Sequence, residues 1–305
     1  MATSAALSAQ PPAAVPAGGS LSGQRRWALV ASYFFLILFC VFFLAPPVYM
    51  LITSLKTSRE IAGQDGNPWL VQHPTFANYA GLLTDPVFLT FFKNSFAVAL
   101  VTVAVTMVVS VLAAFSLARM RFFGSTVLAT GVFLTYLIPD TLLFIPVFKN
   151  FSILRDLTRI EFINHWWILC IIYPTLTVPF CTWILIGYFS SIPKELDEAA
   201  IVDGASYMQI LVKIFLPVAL PGLIAATIFA FTVAWAQFLY PLAFTTSIDQ
   251  LVLSVGIITS LIKGDVFNWG QIMAGTLLGA APPLLIYAFL MDYYIAGLTA
   301  GATKG

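Results

Sequence analysis

Charged residues cut this chain into long apolar stretches. Charge-free windows run from Arg26 to Lys56, Lys93 to Arg119, Arg121 to Lys149, His165 to Lys194, Lys213 to Asp249 and Asp265 to Asp292, with Asp140 the one interruption, in the third. A helix crossing the hydrocarbon core of a bilayer needs about 20 apolar residues, and every window is long enough. The pattern predicts an all-α, polytopic integral membrane protein with six transmembrane helices and both chain ends on one side.

The polar segments between the windows set the expected organisation. Residues 1–26 carry no charge before Arg25 and offer little to bury, so they read as a disordered tail. Residues 27–56 form the first span, 57–90 a Pro-, Gly- and Asn-rich loop, 91–296 the core with five further spans, and 297–305 a terminal tail. The run LVLSVGIITSLI at 251–262 is too short to cross and reads as an interfacial or re-entrant piece. Basic residues fall seven on each side, so their bare count does not orient the chain. Arg25 and Arg26 abut the first span, and the tightest loop, ARMRFFG at 118–124, carries two arginines. Both favour cytoplasmic N- and C-termini, because short loops and the first helix weigh most.

One polar segment stands out between two apolar windows: SIPKELDEAAIVDGASYMQILVKIFLP, from Ser191 to Pro217. Ser191 can cap a helix with Pro193 in its first turn. Glu195, Asp197 and Glu198 suit the positive N-terminal end. Gly204 can take the left-handed conformation that ends the helix, and Ser206 with Gln209 has capping-box spacing for a second one. Pro217 and Pro221 mark where that helix gives way to the fifth span. The prediction is a helix–turn–helix at the membrane surface, coupling segment 193–217. These residues alone fit a well-capped interfacial loop as well as a docking surface for another protein.

Composition agrees and excludes several functions. Hydrophobic residues make up 60% of the chain and charged residues 9%, against about 25% charged in soluble domains. A net charge of +1 gives no general attraction to nucleic acid. Cys40, Cys170 and Cys181 lie in apolar runs and read as packing residues, and His73 and His165 have no ligand partners nearby, so no metal site is expected. No GxxxxGK[ST] loop is present, so ATP hydrolysis is not expected of this chain.

The spacing Glu198-Ala199-Ala200, three residues, Gly204, nine residues, Ile214-x-Leu216-Pro217 resembles the signature of the membrane subunits of ABC importers. ARMRFFG at 118–124, LIPDTLLFIPVF at 137–148, SIPKELDEAA at 191–200 and GLTAGATKG at 297–305 resemble one branch of that family, the carbohydrate-uptake permeases like the maltose system's G subunit. The likeness runs from about residue 27 onward. It implies that the segment is a coupling helix docked in a cleft of an ATP-binding subunit. The docking residues would be Glu198, Ala199, Ala200, Asp203, Gly204, Ile214, Leu216 and Pro217, with Glu198 meeting a basic residue. It also implies that Gly297, Gly301, Lys304 and Gly305 in the tail reach between two ATPase subunits.

The implied protein is not itself an enzyme. It is a permease of the bacterial inner membrane, importing a disaccharide or oligosaccharide. Its partners are a second homologous permease, two ATP-binding subunits and an extracytoplasmic solute-binding protein. This chain binds no cofactor, and ATP and Mg sit on the partner ATPase. Glycerol phosphate or another polar solute is the alternative cargo. A secondary transporter would need coupling carboxylates at mid-membrane, where the sequence offers only Asp140. The branch often has Trp-Asn-Glu-Phe in the fifth span; here Trp235-Ala236-Gln237-Phe238 replaces the carboxylate with an amide and puts any charge-based role there in doubt.

Sugars are held by amides, hydroxyls and carboxylates with their apolar faces on aromatic rings. Asp140, Trp235 and Gln237 are therefore the candidates along a solute path. An acid at membrane depth is a functional candidate, although Asp140 follows Pro139 and fits equally a wetted position near the surface. Trp235 and Gln237 fit helix packing as well. Gly275 and Gly279 form a GxxxG pair that suits close helix packing.

Overall fold

The computed structural model describes residues 23–63, 67–120, 122–263 and 266–302. The chain divides into two units, one ending at Tyr49 and the other beginning at Met50, each taken here by itself. The first is helix α1 (Gly23–Ser54) as far as Tyr49, with Pro46 and Pro47 inside the helix. Its residues from Trp27 to Leu44 are apolar on nearly every face, as a lipid-surrounded helix requires.

In the second unit, helices α2 (Ser58–Ala62) and α3 (Ala77–Thr84) fold the expected loop at 57–90 into a compact cap. Buried Lys56 donates from Nζ to the carbonyls of Asn67 and Pro68 at 3.1 and 3.0 Å. The Glu60 carboxylate accepts from the Gln72 and His73 amides. The Gln72 bond does most to hold the Glu60 carboxyl below its ordinary value. Asp85 then caps α4 (Pro86–Arg119) by accepting from the Val87 amide, with Pro86 in the first turn, a pairing that suits a helix start.

Helices α5 (Ser125–Tyr136) and α6 (Asp140–Thr158) make up the third apolar window and meet at a 94° bend. Pro139 at the junction has no N–H to continue the ladder and pushes Ile138 out of helical geometry. Helix α7 (Leu169–Ser191) follows a short 3-10 turn, Trp166–Ile168. The polar segment forms α8 (Glu195–Val202), α9 (Tyr207–Ile210), a π turn at Leu211–Phe215 and α10 (Leu216–Val218). After an 82° bend comes α11 (Leu220–Ala236), then α12 (Leu239–Phe244), α13 (Leu253–Leu261) and α14 (Trp269–Ala302). A two-residue hairpin pairing Ile262 with Phe267 joins the last two.

Among the described residues, four helices are long and apolar enough to cross a membrane: Arg25–Ser54, Pro86–Arg119, Trp166–Ser191 and Trp269–Met291. The count reaches six if each of the two bent pairs is one span. Helices α4 and α7 are the central pair, joined by Thr106 and Thr177 hydroxyls 2.6 Å apart and by Ser110 donating to the Val178 carbonyl, the polar contacts that hold helices together in lipid. The other side of α4 presents Leu100, Val105, Val108 and Leu112 outward. So large an apolar surface has no place in water.

The run at 251–262 forms α13, a short helix packed into the protein. Leu253, Val255, Gly256 and Ile257 of α13 are buried among Leu82, Phe88 and Phe91 of α3 and α4. Side chains from other elements tie its entry. Asn94 donates to the Asp249 and Leu251 carbonyls, both at 2.9 Å, and the Ser95 hydroxyl accepts from the Leu253 amide at 2.7 Å.

Candidate functional site

The polar segment is an elbow built from its own residues. Helix α8 ends in paired bonds from Gly204 N to Ile201 O and from Ala205 N to Ala200 O, a Schellman end. Gly204 sits at φ +81°, where a side chain would be strained. One residue on, Ser206 Oγ accepts from the Gln209 amide while Gln209 Oε1 accepts from the Ser206 amide, the predicted capping box. Two details differ from the sequence reading. Helix α7 runs on to Ser191, whose hydroxyl donates back to the Tyr188 carbonyl, so Ser191 does not cap α8. Lys194 occupies the cap position, and Pro193 lies just outside the helix.

Glu198, Ala199, Asp203, Gly204 and Pro217 are exposed. Ala200, Ile214 and Leu216 are half-buried against the cluster of Phe115, Phe189 and Phe215 and fasten the elbow to the bundle. Sequence reasoning missed the apolar part of the exposed face. Val202 is 87% exposed, and Ile201, Tyr207 and Met208 are about half exposed beside it. Apolar side chains ringed by Glu198, Asp203 and Lys213 have the composition of a protein interface. The missed signal was the apolar pairs flanking the turn, Ile201-Val202 and Tyr207-Met208. Further along, α14 continues as helix through Gly297 and Gly301, while Lys304 and Gly305 lie outside the described residues.

The structure brings Asp140 and Gln237 together. Gln237 Nε2 donates to Asp140 Oδ2 at 3.1 Å, and the Tyr240 hydroxyl donates to the Asp140 carbonyl at 3.1 Å. They line a cavity of about 730 Å³ at the α5–α6 bend, with Tyr136, Thr175 and Thr232 as further polar groups. No Lys, Arg or His is among its described lining residues. The Tyr136 ring stacks on Phe180 at 4.8 Å. Trp235 is not in this wall. Its indole donates to the Gly279 carbonyl at 2.8 Å and packs against Phe96 and Phe231. Gly275 and Gly279 face Leu253 and Ile257 of α13, so the GxxxG pair serves packing. Among the described residues no His, Cys, Asp and Glu cluster could hold a metal.

A helical body, apolar outward and carrying a capped, exposed elbow at one end of its central helix pair, defines a multi-pass membrane protein. The chain belongs to the binding-protein-dependent transport system inner membrane components, whose family model matches residues 106–299. It is 35% identical over 263 residues to the sulfoquinovosyl glycerol transport system permease protein SmoH of Agrobacterium fabrum, covering 86% of this chain and 89% of that one. It is 30% identical over 288 residues to the trehalose/maltose transport system permease protein MalG of Thermococcus litoralis, covering 92% and 98%. A bacterial ABC transporter chain involved in import of the acidic polysaccharide alginate has the same fold, with a TM-score of 0.77 at 19% identity over 91% of this chain and all of that one. The protein is thus an inner-membrane transport component, not an enzyme.

Proposed function

We propose that this chain is one of two permeases in an ATP-driven carbohydrate importer. It forms half of the solute path beside a second, homologous permease. One of two ATP-binding subunits, which hold the ATP and Mg, docks on the elbow from the cytoplasm, where both termini also lie. An extracytoplasmic binding protein delivers the sugar. The observation that carries this reading is the elbow's exposed face, Glu198, Ile201, Val202 and Asp203, beside an end fixed by Gly204. A segment that only joined two spans would not need exposed Val202, and the family match places it in a transport system. The sugar class rests on the carbohydrate named for the trehalose/maltose relative.

The experiment is Glu198→Lys in the complex reconstituted with both permeases, the ATP-binding subunits and the binding protein. Uptake and binding-protein-stimulated ATP hydrolysis are both expected to fall by about tenfold or more, as when a central interface charge is reversed. Persistence of both activities removes the docking assignment.

For the solute path we propose the Asp140–Gln237 cavity, with Gly297, Gly301, Lys304 and Gly305 assigned to the ATPase contact and Trp235 to packing. A carboxylate, an amide and hydroxyls without a facing cation suit an uncharged, hydroxyl-rich solute over a phosphate or sulfonate. Gln237→Ala is expected to raise the half-saturating concentration of a neutral disaccharide by about tenfold. An unchanged value takes this wall out of the path.

A further inference from the structure

The cavity at the α5–α6 bend has an aromatic side that its polar groups do not account for. Tyr136, the last residue of α5, lines it together with Phe229. Phe180 of α7 stacks on the Tyr136 ring at 4.8 Å and 28°, and Phe229 of α11 meets it edge-on at 6.2 Å. Phe180 and Phe229 in turn lie 4.4 Å apart. Rings from two other helices thus fix the plane of Tyr136. Phe180 is not among the described lining residues, so the stacked face of Tyr136 is the one turned away from the cavity. A ring that served packing alone would be covered on both faces, whereas Tyr136 is 39% exposed.

The polar part of the wall mostly accepts hydrogen bonds. Thr135 and Thr175 spend their hydroxyl protons on the Val132 and Ile172 carbonyls, at 2.7 and 2.6 Å, and keep lone pairs for another donor. The Asp140 carboxylate accepts only, and Gln237 occupies one of its oxygens. Such a wall calls for a solute rich in hydroxyl donors. Sugars and acyclic polyols both qualify, so the acceptors do not separate them. The ring does. An aromatic face is electron-rich and attracts the weakly positive hydrogens of C–H bonds. A pyranose holds its axial C–H bonds on fixed faces of a rigid ring. An acyclic polyol rotates about every C–C bond and holds no such face. The cavity's volume of about 730 Å³ falls within the roughly 300–1,000 Å³ of small-molecule sites.

We propose that Tyr136 is the platform on which a pyranose ring lies during passage, and that it makes this cavity select pyranosyl sugars over acyclic polyols and their phosphates. The inference rests on the solute path proposed above and adds the ring form of the cargo. Tyr136 sets specificity through its π face, with Phe180 and Phe229 holding that face in position. Glycerol phosphate, the alternative cargo, offers neither a ring face nor a neutral group to this wall.

The test is solute binding to the importer in detergent, its permeases and ATP-binding subunits together, with the binding protein left out. The probes are maltose, trehalose and cellobiose against sorbitol and glycerol phosphate. Wild type is expected to bind at least one of the sugars about tenfold more tightly than either acyclic probe. Tyr136→Phe keeps the ring and should stay within about threefold of wild type, whereas Tyr136→Leu keeps apolar bulk without a flat face and should weaken the sugar by about tenfold. Saturation-transfer NMR on wild type reads the stacking without any substitution: the ring hydrogens of one sugar face should receive more saturation than those of the other. Equal saturation of both faces overturns the platform, as does unchanged affinity in Tyr136→Leu, an acyclic probe bound as tightly as the best sugar, or no sugar bound at all. If Tyr136→Leu does not assemble, the NMR comparison decides. Gln237→Ala separates this inference from the one beneath it. A sugar weakened by Gln237→Ala and not by Tyr136→Leu leaves the path standing without its platform; a sugar weakened by neither takes the cavity out of the path.

Discussion

Two short helical pieces sit at opposite ends of α4, and they are held in opposite ways. The elbow of α8 and α9 closes its own ends: Gly204, Ala205, Ser206 and Gln209 satisfy backbone groups no more than five residues away. Helix α13 depends on α4. Its entry is held by Asn94 and Ser95, more than 150 residues distant, and its Gly256 lies against the ring of Phe91. The elbow's turn is thus closed within its own segment, whereas α13 is part of the bundle's frame.

The sharpest way to break the comparison is to press on the frame. A side chain at Gly256 would overlap the Phe91 ring, which is 1% exposed. Gly256→Val is expected to cost about 3 kcal/mol by overpacking, read as a lower melting temperature of the purified complex in detergent. If the melting temperature holds, α13 is not packed as a wall. The next effect is smaller. Asn94→Ala leaves the Asp249 and Leu251 carbonyls without their side-chain donor. It should destabilise the complex by about 2 kcal/mol, with faster hydrogen exchange in Leu253–Leu261. Loss of protection confined to α4 would contradict the tie.

The same contrast explains what the sequence could tell. Glycine, Ser-x-x-Gln and the proline pair at 217 and 221 act within a few residues, so the elbow's turn and the break before α11 were legible from spacing. Ser191 misled because the apolar run of α7 extends one turn further and takes it as its own last residue. Pro139 was visible as a breaker, but not the 94° bend it produces, because the angle depends on what α5 and α6 pack against. The pairing of Asp140 with Gln237 joins residues 97 apart, and no local pattern encodes it. Arg119 was read only as a topological charge. Its buried contacts to Phe189, Ile192, Asp197 and Phe215 belong to tertiary structure and had no signature beyond an arginine closing an apolar helix.

The smallest expected effect tests the elbow's independence most directly. Ser206→Ala removes the hydroxyl that accepts from the Gln209 amide and should cost about 1 kcal/mol of local helix stability. If the elbow closes itself, that cost stays local. Exchange of the Gln209 and Ile210 amides should quicken by about fivefold, because local opening draws on the local free energy. The melting temperature of the complex and the protection of α13 should not move, since no bond from Ser206 reaches the bundle other than through its own helix. A fall in melting temperature as large as that of Asn94→Ala would mean that the caps of the elbow support the spans. The elbow would then be a rigid extension of the frame.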